Sequence, residues 1–148
     1  MCSRNRQTGC GDPADGRDTA GGNPVIYAEI GKERECFIAF VENALGVLAR
    51  QEYASFLALF DSSRLTEQDL LLALRYLDET RPVLKIDDPA QVKNGRSEIY
   101  FRPFHDGSGY HMDYDLTTDG ERNDLTVQVE FLEKKDGYAA VLDDLHTL

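Results

Sequence analysis

From Glu33 to about Phe60 the apolar positions recur with a helical period. Phe37, Val41, Ala44 and Leu48 stand at i, i+4, i+7 and i+11, and Phe40 and Leu45 widen the stripe. A kink is expected near Arg50–Glu52, before a second apolar run from Tyr53 to Phe60. Asp61-Ser-Ser-Arg then offers turn chemistry, and Asp61–Leu65 reads as too short for a strand with its turns. Thr66 fits a helix N-cap, with Glu67 and Asp69 in the first turn, where the helix dipole favours acids. Leu70, Leu74 and Leu77 make the stripe of this last helix. Pro82 stops it, because the residue before a proline avoids helical angles.

Beyond Pro82 the period falls to two. Strands are expected over Val83–Ile86, Ser97–Phe104, Tyr110–Thr118, Leu125–Glu133 and Tyr138–Leu142. The joining segments are Asp87–Arg96, His105–Gly109, Asp119–Asp124 and Lys134–Gly137. Most of these glycine-bearing links are short, as a meander of hairpins requires. Helices followed by an antiparallel meander make an α+β fold: N-terminal helices packed on one face of a curved four- to five-stranded antiparallel sheet.

Residues 1–24 hold five of the twelve glycines and two of the five prolines, with almost nothing apolar. Such a segment cannot offset its ordering entropy by burial, so 1–24 is expected to be a disordered tail and 25–148 a single α+β domain. Val25–Ile30 reads as a short extended or helical lead-in broken at Gly31. No apolar run approaches the roughly 18 residues that suggest a membrane span, and none follows Arg4 and Arg6 to form a secretory signal. A cytoplasmic protein is expected. The cysteines Cys2, Cys10 and Cys36 match no zinc spacing. Cys36 is expected as a small core residue of the first helix, in reducing surroundings.

The net charge of −11 is unevenly placed. Residues 105–148 carry three basic and eleven acidic side chains and so hold most of it. Such a surface repels nucleic acid and attracts basic proteins or cations.

His111, Asp113 and Asp115 form the sharpest constellation. At i, i+2 and i+4 on a strand they share one face, and Tyr110, Met112, Tyr114 and Leu116 take the other. A histidine beside carboxylates suits a divalent cation, an acid/base pair or a partner-facing strand. Successive members lie about 6.5 Å apart along the strand, so a site needs help from a neighbouring strand. Asp143-Asp144-Leu145-His146 reads as a solvated terminus, of which one aspartate at most joins a given cluster. Asp119–Asp124 is acidic but lacks the EF-hand pattern. No serine sits in a nucleophile elbow. No cofactor or metal is called for.

The segment Gly109–Gly120, then Asn123-Asp-Leu-Thr, then Leu142–Leu148, resembles the C-terminal signature of a small bacterial family of unknown function. The order of helices and meander is also similar to the NTF2-like cone fold. That resemblance implies ligand-pocket enzymes, binding modules or bacterial immunity proteins that neutralise toxins. Two readings follow. In the first, a non-enzymatic module docks on a basic protein, such as a toxin, through His111, Asp113, Asp115, Glu121, Asp124 and Asp143. In the second, an NTF2-like small-molecule-binding protein or enzyme uses His111 with Asp113 or Asp115. Its pocket would be lined by Tyr110, Tyr114, Phe101 and Phe131.

Overall fold

The computed structural model describes residues 25–92 and 99–147. The expected tail over 1–24 and the first residues of the strand expected at Ser97 lie outside them. Two helices come first, α1 over Glu33–Ala49 and α2 over Tyr53–Ala58. The break falls where the kink was expected, and Gln51 takes a left-handed φ of 64° there. The α1 stripe is buried as its spacing predicts: Phe37, Phe40, Val41, Ala44, Leu45 and Leu48 all face the core. Cys36 is buried too, but it is disulfide-bonded rather than a free thiol.

Between the second and third helices, Ser62–Ser63 form a two-residue strand, β1, where only a turn was expected. Helix α3 follows over Glu67–Ala73. The Thr66 hydroxyl accepts from the Asp69 N–H at 3.1 Å, and the Asp69 carboxylate accepts from the Thr66 N–H at 3.0 Å. This reciprocal capping box satisfies two otherwise unpaired donors. The helix ends earlier than its leucine stripe suggests. Tyr76 and Leu77 are left-handed, at φ 55° and 63°, and turn the chain away. Leu77 therefore stands 74% exposed instead of joining Leu70 and Leu74 in the core.

The segment Val83–Ile86 is not a strand. Around it, the Leu84 N–H donates to the Leu74 carbonyl and the Asp87 N–H to the Thr117 carbonyl. These single bonds tie it across the end of the sheet with no ladder. A 3-10 turn over Pro89–Gln91 follows.

The sheet is completed by β2 over Ile99–Pro103, β3 over Gly109–Thr118, β4 over Glu121–Lys134 and β5 over Gly137–Thr147. The strand order is β1-β5-β4-β3-β2. The last four strands are an antiparallel meander, and β1 lies parallel to β5 at the edge, pairing Ser62 with Val141. Two strands are longer than the alternation suggests. Asp119 and Gly120, at φ 56° and 81°, close a two-residue hairpin, so β4 begins at Glu121 within the expected loop. The expected terminus Asp143–His146 is likewise strand.

Helices and sheet meet in one core. Phe37 is its hub, stacked on Phe131 at 4.1 Å between ring centroids and set edge-on against Tyr138 at 4.9 Å. From the sheet, Met112, Tyr114, Val127 and Leu142 join it, so the apolar face of the meander is the covered one.

Candidate functional site

Strand β3 alternates as read. Met112, Tyr114 and Leu116 are buried against the helices, while His111, Asp113 and Asp115 lie on the other face. Strand β4 supplies the help from a neighbour that the spacing demanded. Its register sets Glu130 opposite His111, Gln128 opposite Asp113 and Thr126 opposite Asp115. On the far side, β2 places Arg102 beside His111 and Tyr100 beside Asp113. The Arg102 guanidinium lies 5.6 Å from the Tyr100 ring.

These side chains form small hydrogen-bonded groups side by side on one face. His111 Nε2 lies 2.6 Å from Asp113 Oδ1, which also accepts from Gln128 Nε2 at 3.1 Å. Asp115 accepts from the Thr126 hydroxyl at 2.7 Å and from Arg122 Nη1 at 3.2 Å. On β5, His146 Nδ1 lies 3.0 Å from Asp144 Oδ2. Asp144 stands opposite Gln128, so the two histidine–aspartate pairs flank one glutamine.

A bulge brings in both terminal aspartates. Gln128 pairs with Asp144 and Val129 with Leu142, leaving Asp143 as the extra residue. Leu142 and Leu145 stay in the core, and Asp143 and Asp144 both reach the polar side. Arg64, just after β1, bridges Glu130 at 3.5 Å and Asp143 at 3.2 Å. The expectation that only one of the two aspartates joins the cluster is thereby corrected. Strict alternation fails wherever a residue is inserted.

The six residues proposed for partner contact are not all together. His111, Asp113, Asp115 and Asp143 share the polar face. Asp124 is left-handed at φ 68°, and with Asp115, Arg122, Leu125 and Thr126 it lines a small cavity of about 140 Å³. Glu121 stands exposed beside the hairpin turn, and among the described residues no hydrogen bond or ion pair joins it to the others. Period-two reading of β4 could have found Thr126, Gln128 and Glu130. Nothing in the sequence marks Arg64, which arrives by the fold alone.

Among the described residues, the five carboxylates of this face are ion-paired to only two guanidiniums, Arg64 and Arg122. Each of Asp113, Asp115, Glu130, Asp143 and Asp144 already faces a cationic or titratable partner. Three of the groups involved remain accessible, with Arg64 63%, Arg122 50% and Asp144 44% exposed. The His111–Asp113 hydrogen bond can orient an imidazole or hold a proton. Among the described residues no serine or cysteine side chain is hydrogen-bonded to His111, and no group of three or more His, Cys, Asp or Glu is placed to hold a metal ion.

The aromatics proposed as a pocket are packed instead. Phe131 is fully buried under Phe37. Tyr114 is 3% exposed and donates its hydroxyl to Glu42 at 2.8 Å. Phe101 and Tyr110 stack on each other at 5.1 Å.

Fold and face together define a two-layer α+β domain, helices on one side of the sheet and a hydrogen-bonded polar face on the other. The chain belongs to a family described as a domain of unknown function, DUF7668, whose model matches residues 46–148. The match takes in every strand of the sheet and every residue of the hydrogen-bonded polar groups. No curated protein and no solved structure matches the chain. Among the described residues no helix is long and apolar enough to cross a membrane.

Proposed function

We propose that the protein is a non-enzymatic binding module whose polar sheet face docks on a basic protein, as an immunity-type protein docks on a toxin. One observation carries the reading. Five carboxylates from three strands, Asp113, Asp115, Glu130, Asp143 and Asp144, gather on the sheet face opposite the helices. Their present cationic partners Arg64 and Arg122 are half or more exposed, so a partner's arginines and lysines can compete for the same oxygens at little cost. Two features support kinship with the NTF2-like cone fold: helices on one face of the meander, and a short strand between the second and third helices.

The test is a pull-down from source-cell lysate with the native chain and with an Asp113→Lys, Asp115→Lys variant, at low and high salt. A basic protein retained by the native chain, released by salt and missed by the variant supports the reading. A partner held equally by both chains overturns it.

A cytoplasmic location belongs to the same reading. The disulfide at Cys36 weighs against it, because such bonds are rare in reducing compartments. Alkylation of free thiols in freshly lysed cells decides the point.

A further inference from the structure

Strand β2 ends the sheet, and among the described residues nothing pairs with its outer side. The hairpin shows which backbone groups face outward. The Phe104 N–H donates to the Gly109 carbonyl at 2.9 Å, so that pair is a hydrogen-bonded one. Bonded and non-bonded pairs alternate along an antiparallel ladder. Arg102 and Tyr100 therefore bond to His111 and Asp113 on β3, and the backbone of Ile99, Phe101 and Pro103 turns outward. Pro103 has no N–H to leave unpaired, and a sheet edge is where proline is tolerated. Ile99 and Phe101 keep their N–H and carbonyl groups in an open row, a template for another strand.

The side chains of this edge carry their own pattern. On the polar side, Tyr100 is 53% exposed. Arg102 is exposed beside it, and among the described residues no carboxylate pairs with it. Its guanidinium lies 5.6 Å from the Tyr100 ring. On the helix side, Ile99 and Phe101 pack against the core yet stay partly exposed.

We infer that this edge joins two copies of the chain, β2 pairing antiparallel with β2 about a two-fold axis at Phe101. Register names the occupant. Centred there, the strands set Phe101 against Phe101, Ile99 against Pro103 and Tyr100 against Arg102. The two Phe101 residues exchange both backbone bonds, and each Ile99 N–H donates to the second copy's Pro103 carbonyl. The donor that Pro103 lacks falls at the end of this ladder, not inside it. Each guanidinium meets a tyrosine ring across the axis, the contact it already makes within its own strand. The Phe101 rings meet on the helix side. A two-fold at Arg102 instead opposes the two guanidiniums. One at Tyr100 leaves Arg102 with no partner within Ile99–Pro103. The surface is thus self-complementary, as a two-fold interface requires. It lies at the sheet edge and does not use the acidic groups of the proposed partner face.

The experiment is sedimentation velocity of the full chain from about 1 to 300 µM, with free thiols alkylated to prevent intermolecular disulfides. A concentration-dependent monomer–dimer equilibrium is expected. Tyr100→Arg, which opposes guanidiniums, should raise the dissociation constant about tenfold or more. Arg102→Glu should also weaken association. Tyr100→Arg combined with Arg102→Glu sets arginine against glutamate and should restore it. NMR amide exchange gives a readout that needs no variant. As the dimer forms, the Ile99 and Phe101 N–H groups should become protected. Those of Tyr100 and Arg102, already bonded to β3, should not change. A chain that stays monomeric throughout overturns the inference. So does a dimer that leaves the Ile99 and Phe101 amides unprotected or that survives Tyr100→Arg. A double variant that fails to re-associate overturns it too.

Discussion

His111 Nε2 and Asp113 Oδ1 lie 2.6 Å apart, two residues along the same face of β3. Side chains at that spacing diverge along a strand unless something draws them together. Here Gln128, from the next strand, donates to the same Asp113 oxygen and fixes its orientation. The pair is thus a product of register as much as of sequence.

Removing Asp113 should expose that dependence. Asp113→Ala leaves the donors of His111 and Gln128 unmatched in a half-buried position and is expected to cost about 1–2 kcal/mol. Asp113→Asn, which keeps an acceptor, should cost less. Urea unfolding of both variants checks the order. Equal costs would show that the hydrogen bonds do not matter to stability.

Asp87 should control acid stability. Its carboxylate accepts from the Gly120 N–H and the Thr117 hydroxyl, both at 2.8 Å, and from the Asp119 N–H at 3.0 Å. Burial pushes its pKa up, but these three bonds outweigh burial and hold it below the ordinary 3.8. A depressed folded pKa gives stability that is present above the unfolded value and is lost as pH falls through the folded one. Asp87→Asn is therefore expected to lower the melting temperature at neutral pH. It should also flatten the decline below about pH 4. An unchanged acid limb would refute the role.

The core hub should be costly to remove. Phe37 is fully buried and touches Phe101, Tyr110, Phe131 and Tyr138. Phe37→Ala is expected to destabilise by about 3–5 kcal/mol, enough to unfold a marginal domain. Phe37→Leu should cost markedly less. Circular dichroism melts of the two compare them directly.

Two half-buried phenols at the edge of the aromatic core should titrate late. Tyr110 and Tyr138 both have pKa values raised above 10.0. A raised folded pKa gives stability that is full below the unfolded value and is lost as pH rises past it. Phenolate absorbance should show these two tyrosines, like Tyr53 and Tyr76, ionising above the ordinary 10.0. In a Glu33→Gln, Glu133→Gln variant both should titrate earlier. No change on losing the two carboxylates would place Glu33 and Glu133 away from the phenols.

Much of this was legible from periodicity. The helical stripe from Phe37 to Leu48 marks α1 because 3.6-residue spacing leaves one face to bury. The alternation from Tyr110 to Leu116 marks β3 and places His111, Asp113 and Asp115 together. What escaped were positions where backbone geometry breaks the period. The left-handed pair Tyr76–Leu77 ended α3 early and put Leu77 in solvent. The bulge at Asp143 turned two adjacent aspartates to one face. Ser62–Ser63 became a strand only because β5 offered a free edge beside it.

The sequence by itself determined the α+β class, the division of the sheet into an apolar and a polar face, and the acidic character of the polar one. Each depends on residue type at fixed spacing, which is a local property. Only the tertiary structure decided which strand lies beside which, and so that Gln128 meets Asp113 and Arg64 meets Glu130 and Asp143. Those neighbours are far apart along the chain, and hydrogen-bond register across the sheet, which no local pattern encodes, sets their distances.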